Sequence, residues 1–318
     1  MGLFDDILDW AADKVQTVTG EKERRRLVGE FKDVYDEFKT DVEIKISGIN
    51  KIISEFNRNI RKINNVRKND VEKNIVLLSD FLGKFGKVKS IGEYSMEKES
   101  NMLVLPEHKF EMKESYINEI DWSKDDVFQD TFFLTPIGMT IKTKEQNLSI
   151  NEKLNQLRLE AEETLNQLKI KEYAAEQDRI IANLYINCIE IITNYIKEVI
   201  IPELKVVEAF FQALKIKNEI ISGNSLQEIK FSNDIELLRD TQYEEHFLFV
   251  KNVFMFYVIS CKIYNTPVLT RLLNNKTEKQ DIDLLEKDKK LLLEHKKVVD
   301  GNLMFVRGEQ HAWSKGWN

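Results

Sequence analysis

Residues 28–66 read VGEFKDVYDEFKTDVEIKISGINKIISEFNRNIRKINNV. Set in heptads, they place an apolar side chain at every a position: Val28, Tyr35, Val42, Ile49, Phe56 and Ile63. The d positions are Phe31, Phe38, Lys45, Ile52, Asn59 and Val66. Where d is polar, at Lys45 and Asn59, the next residue is apolar (Ile46, Ile60), so the stripe drifts around the helix without a gap. A stripe kept for this length predicts one rod of helix, roughly 58 Å long at the α-helical rise. It should lie lengthwise against partner helices. Lys45 and Asn59 are candidate register-setting positions, because a polar side chain inside an apolar seam is satisfied only opposite the right neighbour.

Immediately beyond Phe56 the stretch turns basic: Arg58, Arg61, Lys62, Arg67 and Lys68, with no acid among them. A solvated helix face explains this patch better than phosphate contact, since no aromatic residue is interleaved after Phe56 to stack on a base. A second helix follows, with Val71, Ile75, Leu78, Leu82 and Phe85 on one face. The link at 68–70 suits an antiparallel helical hairpin unless the helix simply runs on. Gly86 and Lys87 do not complete a phosphate-binding loop, because Phe81 stands where the first glycine belongs and Val88 where Ser or Thr belongs.

On the other side, residues 3–18 form a short amphipathic pattern, with Phe4 and Trp10 among its bulky apolar residues and four aspartates opposite. Docking onto the bundle or a partner is expected. A membrane-surface anchor would want a basic polar face, and only Lys14 is present.

From residue 89 to about 146 the helical period is lost, and Ser90, Gly92, Pro106 and Pro136 punctuate the chain. Residues 131–141 carry no charge and include Phe132, Phe133, Leu134, Ile137 and Met139. They read first as a strand or turn capping the helical rods, and second as an apolar tongue for a bilayer or a partner's groove. The helical period returns near Ser149, which with Glu152 makes a capping box. This second rod runs to Ile201, where Pro202 kinks it or starts another helix. Further helices are expected to Gly223, over 234–273 with an interruption at Pro267, and after a Thr277–Gln280 capping box. A tail with Trp313 and Trp317 ends the sequence.

Composition agrees with a helical protein: among 318 residues there are only 4 Pro and 12 Gly to interrupt helices. A net charge of -7 gives no reason to expect a nucleic-acid partner. Cys188 and Cys261 lie in apolar helical stretches and read as buried thiols in a reducing compartment. The N-terminus lacks the pattern of a secretory signal, and Phe247–Tyr264 is broken by Lys251, Asn252 and Lys262 where a membrane span would be apolar. The four histidines show neither zinc nor di-iron spacing. No nucleophile elbow or dinucleotide glycine pattern occurs.

The expected fold is therefore all-α, an elongated bundle of long coiled-coil-like helices with a small irregular or β-containing insert between the two rods. Its parts are an N-terminal helix (1–20), a first rod and hairpin (21–88), the insert (89–146), a second rod with core helices (147–275), and a C-terminal helix with its tail (276–318). The expected function is non-enzymatic: a cytoplasmic scaffold that self-assembles or binds partner proteins through its seams, without cofactor or metal. The alternative, suggested by long rods flanking an uncharged segment as in helical pore-forming toxins, is a membrane-acting protein that inserts residues 131–141. That likeness is one of plan, with no shared motif.

Overall fold

The computed structural model describes residues 21–85, 110, 113, 116, 150–222 and 235–315. The apolar segment 131–141, Phe4, Trp10, and all of the 89–146 insert except Phe110, Lys113 and Tyr116 lie outside the described residues. Among the described residues the structure is all-helical.

Seven α-helices follow in order: α1 (Glu21–Val66), α2 (Glu72–Gly83), α3 (Ile150–Tyr195), α4 (Ile201–Ser222), α5 (Glu244–Tyr264), α6 (Pro267–Leu273) and α7 (Asp281–Lys315). A π-helical turn, Arg67–Val71, joins α1 to α2, and another, Ile196–Ile200, joins α3 to α4. The hairpin expected at 68–70 is therefore not formed. Val66 and Glu72 on either side of the turn are both right-handed helical, and the helix runs on. Pro202 is the second residue of α4, the first-turn position in which a proline starts a helix. A proline removes one helical hydrogen bond and crowds the preceding turn, and a π turn beside it gives the backbone the extra room.

The helix read over 234–273 is divided in the structure. A 3-10 turn, Ile235–Leu238, comes first, and Asp240 then takes a left-handed backbone with φ 57° before α5 begins. Thr266 is extended (ψ 132°) ahead of Pro267, which occupies the first turn of α6. The proline ring disfavours helical backbone just before it and suits a first helical turn. α6 closes on Asn275 at φ 55°, with Lys276 N–H donating to Arg271 O at 2.9 Å and Asn275 N–H to Leu272 O. These two bonds satisfy carbonyls that the helix end leaves open. At the start of α7, the bond that reaches back is made by Asp281, which accepts from Glu278 N–H at 2.9 Å.

The chain divides into two compact units, residues 1–57 with 114–179, and residues 58–113 with 180–318. In the first, Tyr35, Phe38, Val42 and Ile46 of α1 pack on Leu154, Leu157 and Ala161 of α3. In the second, α5 is the core helix. Its buried residues include Phe249, Val253, Phe256 and Ile263, and it packs against α2 and α7. A helix surrounded by protein in this way is apolar on most sides. Although Glu244–Leu273 is long and apolar enough to cross a membrane, 67% of its most apolar window is buried in the protein.

Candidate functional site

The heptad seam is occupied within the chain. In the first unit, Tyr35, Phe38, Val42, Ile49 and Phe56 are buried, and Ile52 is half-buried. In the second unit Ile63 is fully buried. Val28 and Phe31 lie within α1. Lys45 Nζ donates to Glu172 Oε2 at 2.7 Å, and Arg179 of the same stretch of α3 bonds Glu55 at 3.1 Å. The two pairs ascend together in sequence, so α1 and α3 run parallel in this unit. Asn59 is buried in the second unit, and its Nδ2 donates to Asn183 Oδ1 at 2.7 Å. The polar seam positions thus each have one specific neighbour on α3. Beside Phe56, whose ring meets Tyr116 edge-on at 5.2 Å, the Tyr116 hydroxyl donates to buried Asp178 at 2.6 Å.

Among the described residues of the first unit, large apolar side chains are exposed on the far side of α3. Leu159, Ile170 and Tyr173 are 67%, 70% and 66% exposed. Steps of eleven and fourteen residues bring these three onto one face, since each is close to a whole number of helical turns. That face lies opposite Leu157, Ala161 and Leu168. On α1 of the same unit Ile44 is also exposed. Sequence reading missed this face because Leu159 stands about three and four turns from Ile170 and Tyr173, with Glu162, Glu163 and Asn166 between. The signal was the eleven-residue step.

The basic patch separates into two kinds of residue. Arg58, Arg61, Lys62 and Lys68 are exposed, with Lys62 paired to Glu190 at 2.5 Å. Arg67 is not part of that surface. It is 3% exposed, its Nη2 donates to Tyr264 O at 3.1 Å, and its guanidinium lies over the rings of Phe110 at 4.5 Å and Tyr264 at 4.2 Å. The π turn that begins at Arg67 rotates this side chain inward, and the two rings with the carbonyl replace its water. The sequence shows five cations in a row of helix turns and nothing that marks one of them as buried.

The titratable groups of the interior are shifted away from reactivity. Burial pushes the Cys188 thiol up to about 11, so it stays protonated near neutrality, and Cys261 is likewise buried and in no disulfide. Burial, reinforced by a hydrogen bond to Asp178, raises the Tyr116 hydroxyl. Burial and Asp300 do the same to Tyr195, whose hydroxyl donates to Asp300 Oδ1 at 2.7 Å. Burial lowers the His246 imidazole, which packs on Phe210 with ring centroids 4.4 Å apart. Among the described residues no three His, Cys, Asp or Glu side chains stand close enough to hold a metal ion. An open groove of about 630 Å³, formed by the end of α3 with the π turn after it and by α7, is lined by Ile191, Val199 and Leu293 together with Glu198 and Lys289.

No protein-family model, curated protein or solved structure matches this chain.

Proposed function

We propose that this protein is a non-enzymatic interaction subunit, a helical scaffold that engages copies of itself or partner proteins through the outer face of α3. The observation that carries this reading is the exposed row of Leu159, Ile170 and Tyr173 on a helix whose opposite face is buried among the described residues. Covering large apolar side chains stabilises an assembly in proportion to the area removed from water. The intervening carboxylates Glu162 and Glu163 would favour a partner stripe bordered by lysine or arginine. The internal seam then has a supporting role, holding α3 straight and in register so that this face is presented as one surface.

Light scattering and native mass spectrometry on the purified chain test the reading. The expected result is a concentration-dependent oligomer that dissociates in the Ile170→Asp/Tyr173→Asp double variant while helix content is kept. An assembly untouched by that variant would place the interface elsewhere, and a monomer at every concentration would sink self-assembly. The second reading, a membrane-acting protein, draws its support from the uncharged run 131–141. Anionic and neutral vesicles added to the same experiment decide on it. Leakage abolished by Phe133→Asp favours membrane action, and no co-elution with either lipid ends it.

A further inference from the structure

The outward side of α4, in the second unit, carries an apolar row of its own. Val206, Ala209, Ala213, Ile216 and Ile220 are all exposed, and they step along the helix by three, four, three and four residues. That spacing is a coiled-coil seam, with Val206, Ala213 and Ile220 at a positions and Ala209 and Ile216 at d positions. It is not the seam that holds α4 in its unit. Leu204, Val207 and Phe211, on the other side of the helix, are buried, and there the Phe211 ring lies 5.9 Å from that of Phe85. No charged residue interrupts the outer row.

The order of residues along this row is symmetric. Val206 with Ile216, and Ala209 with Ala213, are both centred on position 211, and so are exposed Pro202 and Ile220. Reversing one copy of the helix turns its three-four steps into four-three, so the layers line up where an a position meets a d position. A second copy laid antiparallel about a two-fold axis at 211 therefore sets Val206 against Ile216 and Ala209 against Ala213, each twice. Larger side chains meet toward both ends, and alanine on alanine in the middle lets the two backbones come close.

The edges of the row share that centre. α4 places four charged residues beside the seam: Lys205 and Glu219 at g positions, Glu203 and Lys217 at e positions. The first pair is centred on 212 and the second on 210, so the same axis brings each acid opposite a base of the other copy. Parallel pairing does not. It would set Lys205 opposite Phe210 and Gln212 opposite Lys217, with no acid facing a base. An interface formed by two identical copies about a two-fold must be complementary to itself, and both the seam and its edges meet that condition.

We infer that the outer face of α4 is a homodimer interface, in which two copies pair antiparallel about a two-fold axis at the level of residue 211. The contact does not rest on the α3 face, and being isologous it closes at two copies.

Cysteine cross-linking of the full chain reads the pairing directly. Val206→Cys mixed with Ile216→Cys should give a disulfide-linked dimer under mild oxidation. Val206→Cys by itself should give little, because antiparallel pairing holds its two thiols ten residues apart, roughly 15 Å of helix. Native Cys188 and Cys261 are buried, and the unsubstituted chain measures their background. Self-linking of Val206→Cys above the mixed product would show parallel pairing and overturn the inference, and so would no product above background. The mixed product should persist when Ile170→Asp/Tyr173→Asp is added. Its loss there would make the α4 contact a by-product of the α3 face, which also overturns it. Charge exchange gives a second readout that leaves the apolar row intact. Lys205→Glu/Lys217→Glu and Glu203→Lys/Glu219→Lys should each weaken self-association at least about tenfold in sedimentation. Mixed together, the two variants should regain a dimer, since every edge pair is again acid against base. Variants that associate like the parent, or that stay apart on mixing, refute the register.

Discussion

Asn59 and Asn183 face each other from α1 and α3, the Nδ2 of Asn59 2.7 Å from the Oδ1 of Asn183, and Asn59 is buried. An amide in an apolar seam is satisfied at one register of the two helices and at no other. Asn59→Leu alone should lower stability by about 1–2 kcal/mol, since it strands the Asn183 amide without its donor. Asn59→Leu with Asn183→Leu should recover that loss or exceed it, because both polar groups are then gone. Urea unfolding of the four members of the cycle measures the coupling. Additive single effects would mean that the pair does not set register.

The heptad reading of residues 28–66 shows where sequence reasoning reaches and where it stops. The limits of α1 are legible because the stripe is long and free of proline. The failures at Lys45 and Asn59 were informative too. A straight helix repeats every 3.6 residues, so a stripe that follows it must slip away from strict heptads, and the residues that replace those two on the stripe, Ile46 and Ile60, are buried. What could not be read was which helix covers the stripe, and in which direction, because partner choice depends on contacts more than a hundred residues away. Arg67 reads as one more surface cation until its neighbours Phe110 and Tyr264, distant in sequence, are placed around it.

Gly48 sits in the interior of α1, where a β-carbon would meet only Glu172 Oε1 at 3.5 Å, an ordinary contact, and Gly301 in α7 has nothing within 4 Å. Each glycine gives its helix a more flexible unfolded chain and gains no close approach in return. Gly48→Ala and Gly301→Ala should each raise stability by about 0.5–1 kcal/mol, read as a higher urea midpoint with an unchanged slope. Should Gly301→Ala stabilise and Gly48→Ala destabilise, α1 and α3 approach more tightly at Glu172 than the 3.5 Å contact implies.

Asp281 at the start of α7 is fully buried and paired to the Arg271 guanidinium. Burial alone would raise its carboxyl, but hydrogen bonds from Arg271 and from Glu278 N–H outweigh that and hold it below the ordinary aspartate value. A carboxyl whose folded pKa is lowered stabilises the fold while it is ionised. Its contribution is whole above the unfolded value of about 3.9 and is lost as pH falls through the lower folded value. Asp281→Asn should therefore be clearly less stable than the parent at pH 7, with the gap in melting temperature closing in acid. A gap that stays constant down to the lowest pH would assign the loss to shape and not to charge.

His246 gives the opposite kind of side chain the same direction of dependence. It is 5% exposed, stacked on Phe210, with its Nδ1 buried and lacking a hydrogen-bond partner among the described residues. Burial lowers the imidazole from its usual value, so near neutrality it is held uncharged. The unfolded chain takes up a proton around pH 6.5 while the folded one resists until a lower pH, so the unfolded state binds more protons in that interval. Stability is full above the unfolded value and declines as pH falls from there through the folded one. His246→Leu removes the titrating group while keeping an apolar side chain against Phe210. The variant's melting temperature should be nearly flat between pH 7 and about 5, where the parent's declines. Parallel profiles across that interval would show that folding leaves the His246 imidazole unshifted, and a parent that gains on the variant as pH falls would show that His246 already carries its proton in the fold.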